Sequence, residues 1–300
     1  MSSLWVVFTL IGAAGQTARN AMQRELTPQL GALGATLVRF LFGFPFALIF
    51  LGTAMVVTGA QLPPMNLAFA GWTVLGAVPQ IAGTALMLKT MEHRSFVVTI
   101  AYLKTEPMLV AIMGLVFLGD PLTLMTATAI LVAMTGVMLI SVRPEALIGS
   151  KNTKGPALLG LSSAGLFGLS SVAYRGAILS LHMPGYVMPA TVSLAAGLAV
   201  QTGLLLAWLL LFKRDTLVAI LKLWRPSLAA GFTGAAASQM WFLAFALATA
   251  ASVRTLGLVD VLFAQGVSHI IFKQRTTMRE IAGIVLLVAG AILVVWAHPS

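Results

Sequence analysis

This chain has no cysteine and a low fraction of charged residues. It contains no cysteine, which excludes a disulfide framework and any chemistry that needs a thiolate. Only 9% of its 300 residues are charged, whereas about a quarter of a typical soluble domain is charged. Hydrophobic residues make up 59% of the chain, and its mean hydropathy is +0.98. The composition therefore predicts an integral membrane protein.

Motifs for catalysis are also missing. The sequence has no His-Glu-x-x-His, no glycine-rich phosphate loop and no Gly-x-Ser-x-Gly. Its few histidines do not form a convergent set of metal ligands. Ser268 and His269 are adjacent, and adjacent residues point about 100° apart on a helix, so they cannot form a catalytic dyad together. We expect no enzyme activity, no cofactor and no metal.

Apolar runs bounded by charge, proline or glycine predict an all-α membrane protein of ten transmembrane helices. Each run is close to the roughly 20 residues that cross a hydrocarbon core of about 30 Å. The predicted helices are 4–22, 31–57, 67–88, 95–118, 123–142, 156–178, 186–211, 227–249, 254–272 and 280–297.

A polar stretch at 143–155 lies at the midpoint of the chain and suggests a duplication. Shifting the sequence by 154 positions places Glu106 on Asp260, and a shift of 159 places Gln80 on Gln239. Five helices are an odd number, so the second repeat enters the membrane from the opposite side, as in many secondary transporters. The predicted organisation is one membrane domain, with a first five-helix repeat at 1–142, a linker at 143–155 and an inverted second repeat at 156–300.

Ionisable residues at membrane depth are the main candidates for function, because each is unfavourable there and usually faces a cavity or the interior of the bundle. Glu106 lies midway along its predicted helix, next to Pro107, which removes a backbone donor. The alternative is a structural ion pair with Arg19, Arg39 or Lys104. Lys104 is only two residues away, which favours a partner on another helix.

Other polar and aromatic residues at similar depth complete the candidate site. For the amides and the acid of the second repeat, the alternative is hydrogen bonding between helices, and Arg19 could instead reach the membrane interface. The predicted substrate-binding residues are Glu106, Asp260, Arg39, Gln80, Gln239, Tyr102, Arg19, Gln265, His269 and Trp241.

The chain resembles the drug/metabolite transporter superfamily, specifically its EamA-type ten-helix members. The resemblance depends on Leu118-Gly119-Asp120-Pro121-Leu122-Thr123, followed by the small residues of 129–136, and on Pro107 in the fourth helix. The second half keeps Gly283 and Gly290 but has Lys-Gln-Arg-Thr at 273–276, where the family favours a Gly-Glu turn. The resemblance implies secondary transport, commonly the export of amino acids or other small metabolites through a central cavity, and cytoplasmic termini.

We therefore expect a secondary transporter in a bacterial inner membrane, working by alternating access. Glu106 and Asp260 would take a proton, a cation or a substrate amine, while Arg39 and Arg19 would attract a carboxylate, so an amino acid or similar zwitterion would satisfy both. The alternatives are an organic-anion carrier, because deep basic residues outnumber deep acids, and a non-transporting scaffold subunit. The expected partners are a small-molecule substrate, the lipid bilayer and a proton or cation as coupling ion, but no nucleic acid, and the carrier would be a monomer or homodimer.

The charge of the loops predicts the orientation of the termini. Of the 18 lysines and arginines, three lie inside helices, two lie at helix edges on the side of the termini, and the rest lie in loops on the opposite side. Because cytoplasmic loops carry the excess of positive charge, the side with most of the basic loops is predicted to be cytoplasmic, and the termini are predicted to face outward. We therefore expect a tag on either terminus to be cleaved by protease added to intact spheroplasts. Protection of both tags until the cells are lysed would instead support the cytoplasmic termini that the resemblance implies.

Overall fold

Helices form all the regular structure that is described in this chain. A computed structural model describes residues 3–93, 102–141, 154–263, 265–266 and 277–297. Its helices are α1 (Leu4–Leu41), α2 (Phe44–Thr58), α3 (Leu67–His93), α4 (Glu106–Leu118), α5 (Leu124–Ser141), α6 (Lys154–Ser180), α7 (Val187–Phe212), α8 (Arg214–Lys222), α9 (Trp224–Leu247), α10 (Ala250–Leu256) and α11 (Met278–Trp296). A 3-10 turn at Gly257–Val259 follows α10, and residues 260–263 are helical again. The predicted all-α class is confirmed for these residues.

Several helices are long and apolar enough to cross a bilayer, which confirms the prediction of an integral membrane protein. By length and hydropathy, six described segments qualify, and the apolar α4 is shorter. The count of ten stays a prediction. The six segments are Leu4–Thr58, Leu67–Thr90, Leu124–Ser141, Val187–Phe212, Trp224–Leu247 and Met278–Trp296.

The first of these segments consists of two helical legs, one before Gly31 and one after it. Its 55 residues would extend about 80 Å as one straight helix, far more than a bilayer core needs. Gly31 interrupts α1 with φ 68° and ψ 170°, a conformation that favours glycine. Gln23 Nε2 donates to the carbonyl of Ala35 at 3.0 Å, 12 residues along the chain, which a straight helix would place about 18 Å away. The chain therefore reverses at Gly31, and the segment includes the predicted helices 4–22 and 31–57.

The short helix α8 is an element that the sequence analysis places in a loop. It is too short to cross a membrane and is mostly exposed, with Ile220 as its one fully buried side chain. A Cβ added to Gly34 would meet Thr216 Cγ2 at 2.7 Å, so α8 lies directly against the second leg of α1. Leu217 and Ala219 also pack against the core beside Ile220, but this helix has nine residues with charges at both ends and lacks the long apolar run by which the sequence analysis identifies a helix.

The helices pack mainly in pairs that join the first half of the chain to the second. The most extensive contacts are those of α3 with α6, of α1 with α9, and of α5 with α11. Smaller contacts join α2 to α7 and α4 to α10. The described part of α4 and the chain from α10 to residue 263 thus meet near the centre of the bundle, between the longer pairs.

Glycines allow α5 and α11 to approach each other closely. A Cβ on Gly136 would lie 2.5 Å from the backbone nitrogen of Leu287 and 2.6 Å from the carbonyl oxygen of Gly283. A Cβ on Gly290 would lie 2.6 Å from the nitrogen of Ala133. Backbone atoms cannot rotate away as a side chain can, so this pair is packed to a fixed separation.

We expect Gly136→Ala to lower the free energy of unfolding by about 1–3 kcal/mol, because the added methyl group forces the two backbones apart. Gly52→Ala and Gly203→Ala are matched controls, since a Cβ at either helical position meets nothing within 4 Å. Thermal unfolding of the purified proteins in detergent would measure the difference. An unfolding temperature for Gly136→Ala equal to those of the two controls would contradict the close packing.

Candidate functional site

A cavity at the centre of the bundle is lined by side chains from α1, α3, α4, α6, α9 and α10, from the residues just before α4 and from those that follow α10. Its walls combine aromatic rings with charged and amide groups, which are unusual in an apolar bundle. The lining residues with a polar or charged group are Gln16, Arg19, Asn20, Arg39, Gln80, Lys104, Glu106, Ser171, Tyr174, Ser238, Trp241, Arg254 and Asp260.

The structure brings six of the ten predicted site residues to this cavity: Arg19, Arg39, Gln80, Glu106, Trp241 and Asp260. Three others are not among its lining residues. Gln239 donates to Thr191 Oγ1 at 2.9 Å, Tyr102 packs against Gly160, and Gln265 is half-buried beyond the cavity. His269 lies outside the described residues.

Glu106 forms a two-pronged ion pair with Arg254. Arg254 Nε donates to Oε1 of Glu106 at 2.6 Å, and its Nη2 donates to Oε2. Ser171 Oγ also donates to Oε1 at 3.3 Å, and the guanidinium lies 4.7 Å from the ring centroid of Trp241. Both charged side chains are largely buried, at 7% exposed for Glu106 and 13% for Arg254. The carboxylate of Glu106 is thus already neutralised from within the protein.

Asp260 is neutralised in the same way by Lys104. Lys104 Nζ lies 2.5 Å from both carboxylate oxygens, and both side chains are 10% exposed. Each acid of the cavity therefore pairs with a base from the other half of the chain. Among the described residues, no cluster of three or more metal-ligating side chains is present.

Arg19 and Arg39 are different, because no described carboxylate pairs with either. Both are buried, at 4% exposed, and both lie on α1, one on each leg. Arg19 donates to its neighbour Asn20, and Arg39 donates to Thr84 Oγ1 at 3.5 Å. The Nε of Arg39 is buried without a hydrogen-bond partner in the described part of the chain.

A third ion pair lies outside the cavity and also joins the two halves. Arg175 on α6 donates to both carboxylate oxygens of Asp120, at 3.2 and 3.3 Å. Its Nη1 donates to the carbonyl of Phe245 at 2.6 Å and to that of Ala248 at the end of α9. Gly119, in the left-handed conformation, ends α4 and places Asp120 at this point. Arg175 thus connects the ends of α4 and α9 to α6.

Arg254 is the functional candidate that the sequence analysis misses. That analysis starts the helix at residue 254 and so leaves Arg254 at its edge. In the structure α10 starts at Ala250, where the side chain of Thr249 accepts a hydrogen bond from the backbone of Ser252. Threonine is a favoured N-cap residue, and starting the helix after Thr249 would have placed Arg254 one turn inside it.

An apolar helical bundle that surrounds a charged cavity is typical of membrane transporters. Residues 3–142 match the model of the EamA-like transporter family, which confirms the predicted resemblance for this part of the chain. This match supports a membrane transporter of small compounds.

Comparison with solved structures supports the fold alone. A structure described only as "Crystal structure of protein" aligns with 97% of this chain and 94% of its own, with a TM-score of 0.70 and 13% sequence identity. A search of curated proteins finds no match.

The ion pair between Glu106 and Arg254 can be tested by a double-mutant cycle. Glu106→Gln leaves a buried guanidinium without its counter-charge, so we expect it to lower the free energy of unfolding by about 3 kcal/mol. Adding Arg254→Gln should recover much of that loss, because both charges are then gone. Thermal unfolding in detergent would measure both effects, with the exposed Glu25→Gln as control. Equal losses for Glu106→Gln and Glu25→Gln would contradict a buried pair.

Proposed function

We propose that this protein is a secondary transporter of a small organic anion, which binds in the central cavity and crosses the membrane by alternating access. The observation that carries this proposal is the charge of the cavity. Glu106 and Asp260 are each paired, whereas Arg19 and Arg39 are buried without a carboxylate partner in the described residues. The cavity therefore has two more positive than negative charges among its lining side chains.

This charge balance favours the organic-anion alternative over a zwitterion such as an amino acid. An ammonium group would need Glu106 or Asp260, and would have to displace Arg254 or Lys104 from a short ion pair. A carboxylate or phosphate would meet guanidinium groups with unused donors. Two buried donors without partners in the described structure, Nε of Arg39 and Nε1 of Trp241, also suit a ligand rich in acceptors.

The pairing of helices supports a carrier built from two related halves. In a five-plus-five repeat, α3 corresponds to α9 and the first leg of α1 corresponds to α6. The contact of α3 with α6 then corresponds to that of α9 with α1. The contacts of α5 with α11, α2 with α7 and α4 with α10 each correspond to themselves. The family match also ends at residue 142, where we place the end of the first repeat. Such a two-fold arrangement allows one half to rock against the other around a central site.

Transport by purified protein in liposomes would test this proposal. We expect uptake of small organic anions and little uptake of neutral or zwitterionic amino acids. Arg39→Gln should lower the initial rate of anion uptake at least about tenfold, because a hydrogen bond to a charged group is worth about 1.5–3 kcal/mol. Arg225→Gln is a matched control, since Arg225 lies at the exposed start of α9, outside the cavity.

Two results would contradict the proposal. Uptake of amino acids but not of organic anions would restore the zwitterion hypothesis and give Glu106 and Asp260 the leading role. Equal anion uptake by Arg39→Gln and Arg225→Gln, with both proteins folded and inserted, would remove Arg39 from the site.

A further inference from the structure

Arg19 and Arg39 converge on one place in the cavity. Both pack against Gly234 of α9, where an added Cβ would lie 3.3 Å from Cδ of Arg19 and 3.3 Å from Cγ of Arg39. The two side chains come from opposite legs of α1, and the reversal at Gly31 brings them together. The aliphatic parts of the two side chains thus meet at Gly234 although 20 positions of sequence separate them, and both residues line the cavity.

Within the described residues, the two arginines are positioned by neutral partners only. Nε and Nη2 of Arg19 donate to Oδ1 of Asn20 at 3.3 and 2.9 Å. Nη1 of Arg39 donates to Thr84 Oγ1, and that hydroxyl donates in turn to the carbonyl of Gln80 at 2.7 Å. These contacts orient both side chains but neutralise neither, and a guanidinium has five N–H donors in all.

We propose that these two arginines form one subsite for a doubly charged tetrahedral group, the phosphate of an organic phosphate monoester. This proposal deepens the proposed function and depends on it. A phosphate monoester carries a charge of about −1.5 to −2 at pH 7 and presents three strong acceptor oxygens from one centre. One such group matches the charge of two arginines whose side chains meet at one point of the cavity wall, and guanidinium groups bind phosphate oxygens with paired, parallel hydrogen bonds.

The organic part of the ligand would face the aromatic wall of the same cavity. Tyr174 and Phe242 lie with ring centroids 4.7 Å apart, and both line the cavity with Phe245. Tyr174 is closely packed between glycines, since a Cβ on Gly76 or Gly197 would lie under 3 Å from its ring. The ring of Tyr174 is therefore held in place, and this aromatic wall suits a planar or hydrocarbon group.

Binding of two esters of the same shape would test the subsite in the wild-type protein. Phenyl phosphate and phenyl sulfate both present three terminal oxygens on a tetrahedral centre, but the sulfate has a single charge at every pH used. We expect phenyl phosphate to bind at least about tenfold more tightly at pH 7.5, because one more charge faces the two guanidinium groups. Its affinity should rise between pH 5 and pH 7.5 as the second proton leaves, near pH 6, while that of phenyl sulfate stays level.

Phenyl sulfate also controls for titration of the protein itself. Besides the two arginines, the ionisable groups that line the cavity are Tyr174 and the members of the two ion pairs, Glu106 with Arg254 and Asp260 with Lys104. A change in any of these would alter the affinity of both esters. Only loss of a proton from the ligand would alter that of phenyl phosphate alone.

Variants of the arginines add a second readout. Arg19→Gln and Arg39→Gln should each reduce the preference for phosphate over sulfate to about threefold or less, whereas Arg225→Gln should retain it. Equal affinity of the wild-type protein for the two esters, or a preference that survives both cavity substitutions, would overturn the dianion subsite and leave an organic-anion carrier intact. Failure of phenyl phosphate, phenyl sulfate and benzoate all to bind would instead overturn the proposed function.

Discussion

Neutralisation of charge inside an apolar bundle is the constraint on which the rest of this structure depends. A lone charge at membrane depth is strongly unfavourable, and an ion pair with short contacts reduces that penalty. In the described chain the pairing is reciprocal: Glu106 of the first half meets Arg254 of the second, and Asp260 of the second half meets Lys104 of the first. Neither half can neutralise its own charges in this arrangement, so the packing of the two halves and the burial of these residues require each other.

The candidate site depends on the charged residues that these ion pairs do not neutralise. Once the two acids are matched with two bases, Arg19 and Arg39 remain with neutral partners only in the part of the chain that the structure describes. A buried charge without a counter-charge is unfavourable in the protein alone, so an anionic ligand would complete the electrostatics of the bundle as well as occupy it. Binding energy and the stability of the occupied state would then come from the same contacts.

Much of the fold follows from hydropathy, but the partners within the site do not. The apolar runs predict the long helices, and the rule that charge at membrane depth is functional identifies Glu106, Asp260 and Arg39, all of which line the cavity. The pairing of Glu106 with Arg254 joins residues 148 positions apart, and such a contact depends on helix packing that no local pattern encodes. Gln239 is also polar at membrane depth, but it does not line the cavity. Its side chain donates a hydrogen bond to Thr191, which joins α9 to α7.

Interrupted helices explain why these charges can lie where they do. The helical turn at 102–103 gives way to a turn at 104–105 before α4 begins at Glu106, and Pro107 follows within its first turn. Next to this break, the 3-10 turn Gly257–Val259 separates α10 from Asp260, which contacts Lys104. A break in a helix exposes backbone groups that only a polar lining can satisfy, so both breaks belong beside the cavity. The closely packed pair α5 and α11 has no such break in its described residues, in keeping with its position outside the cavity lining.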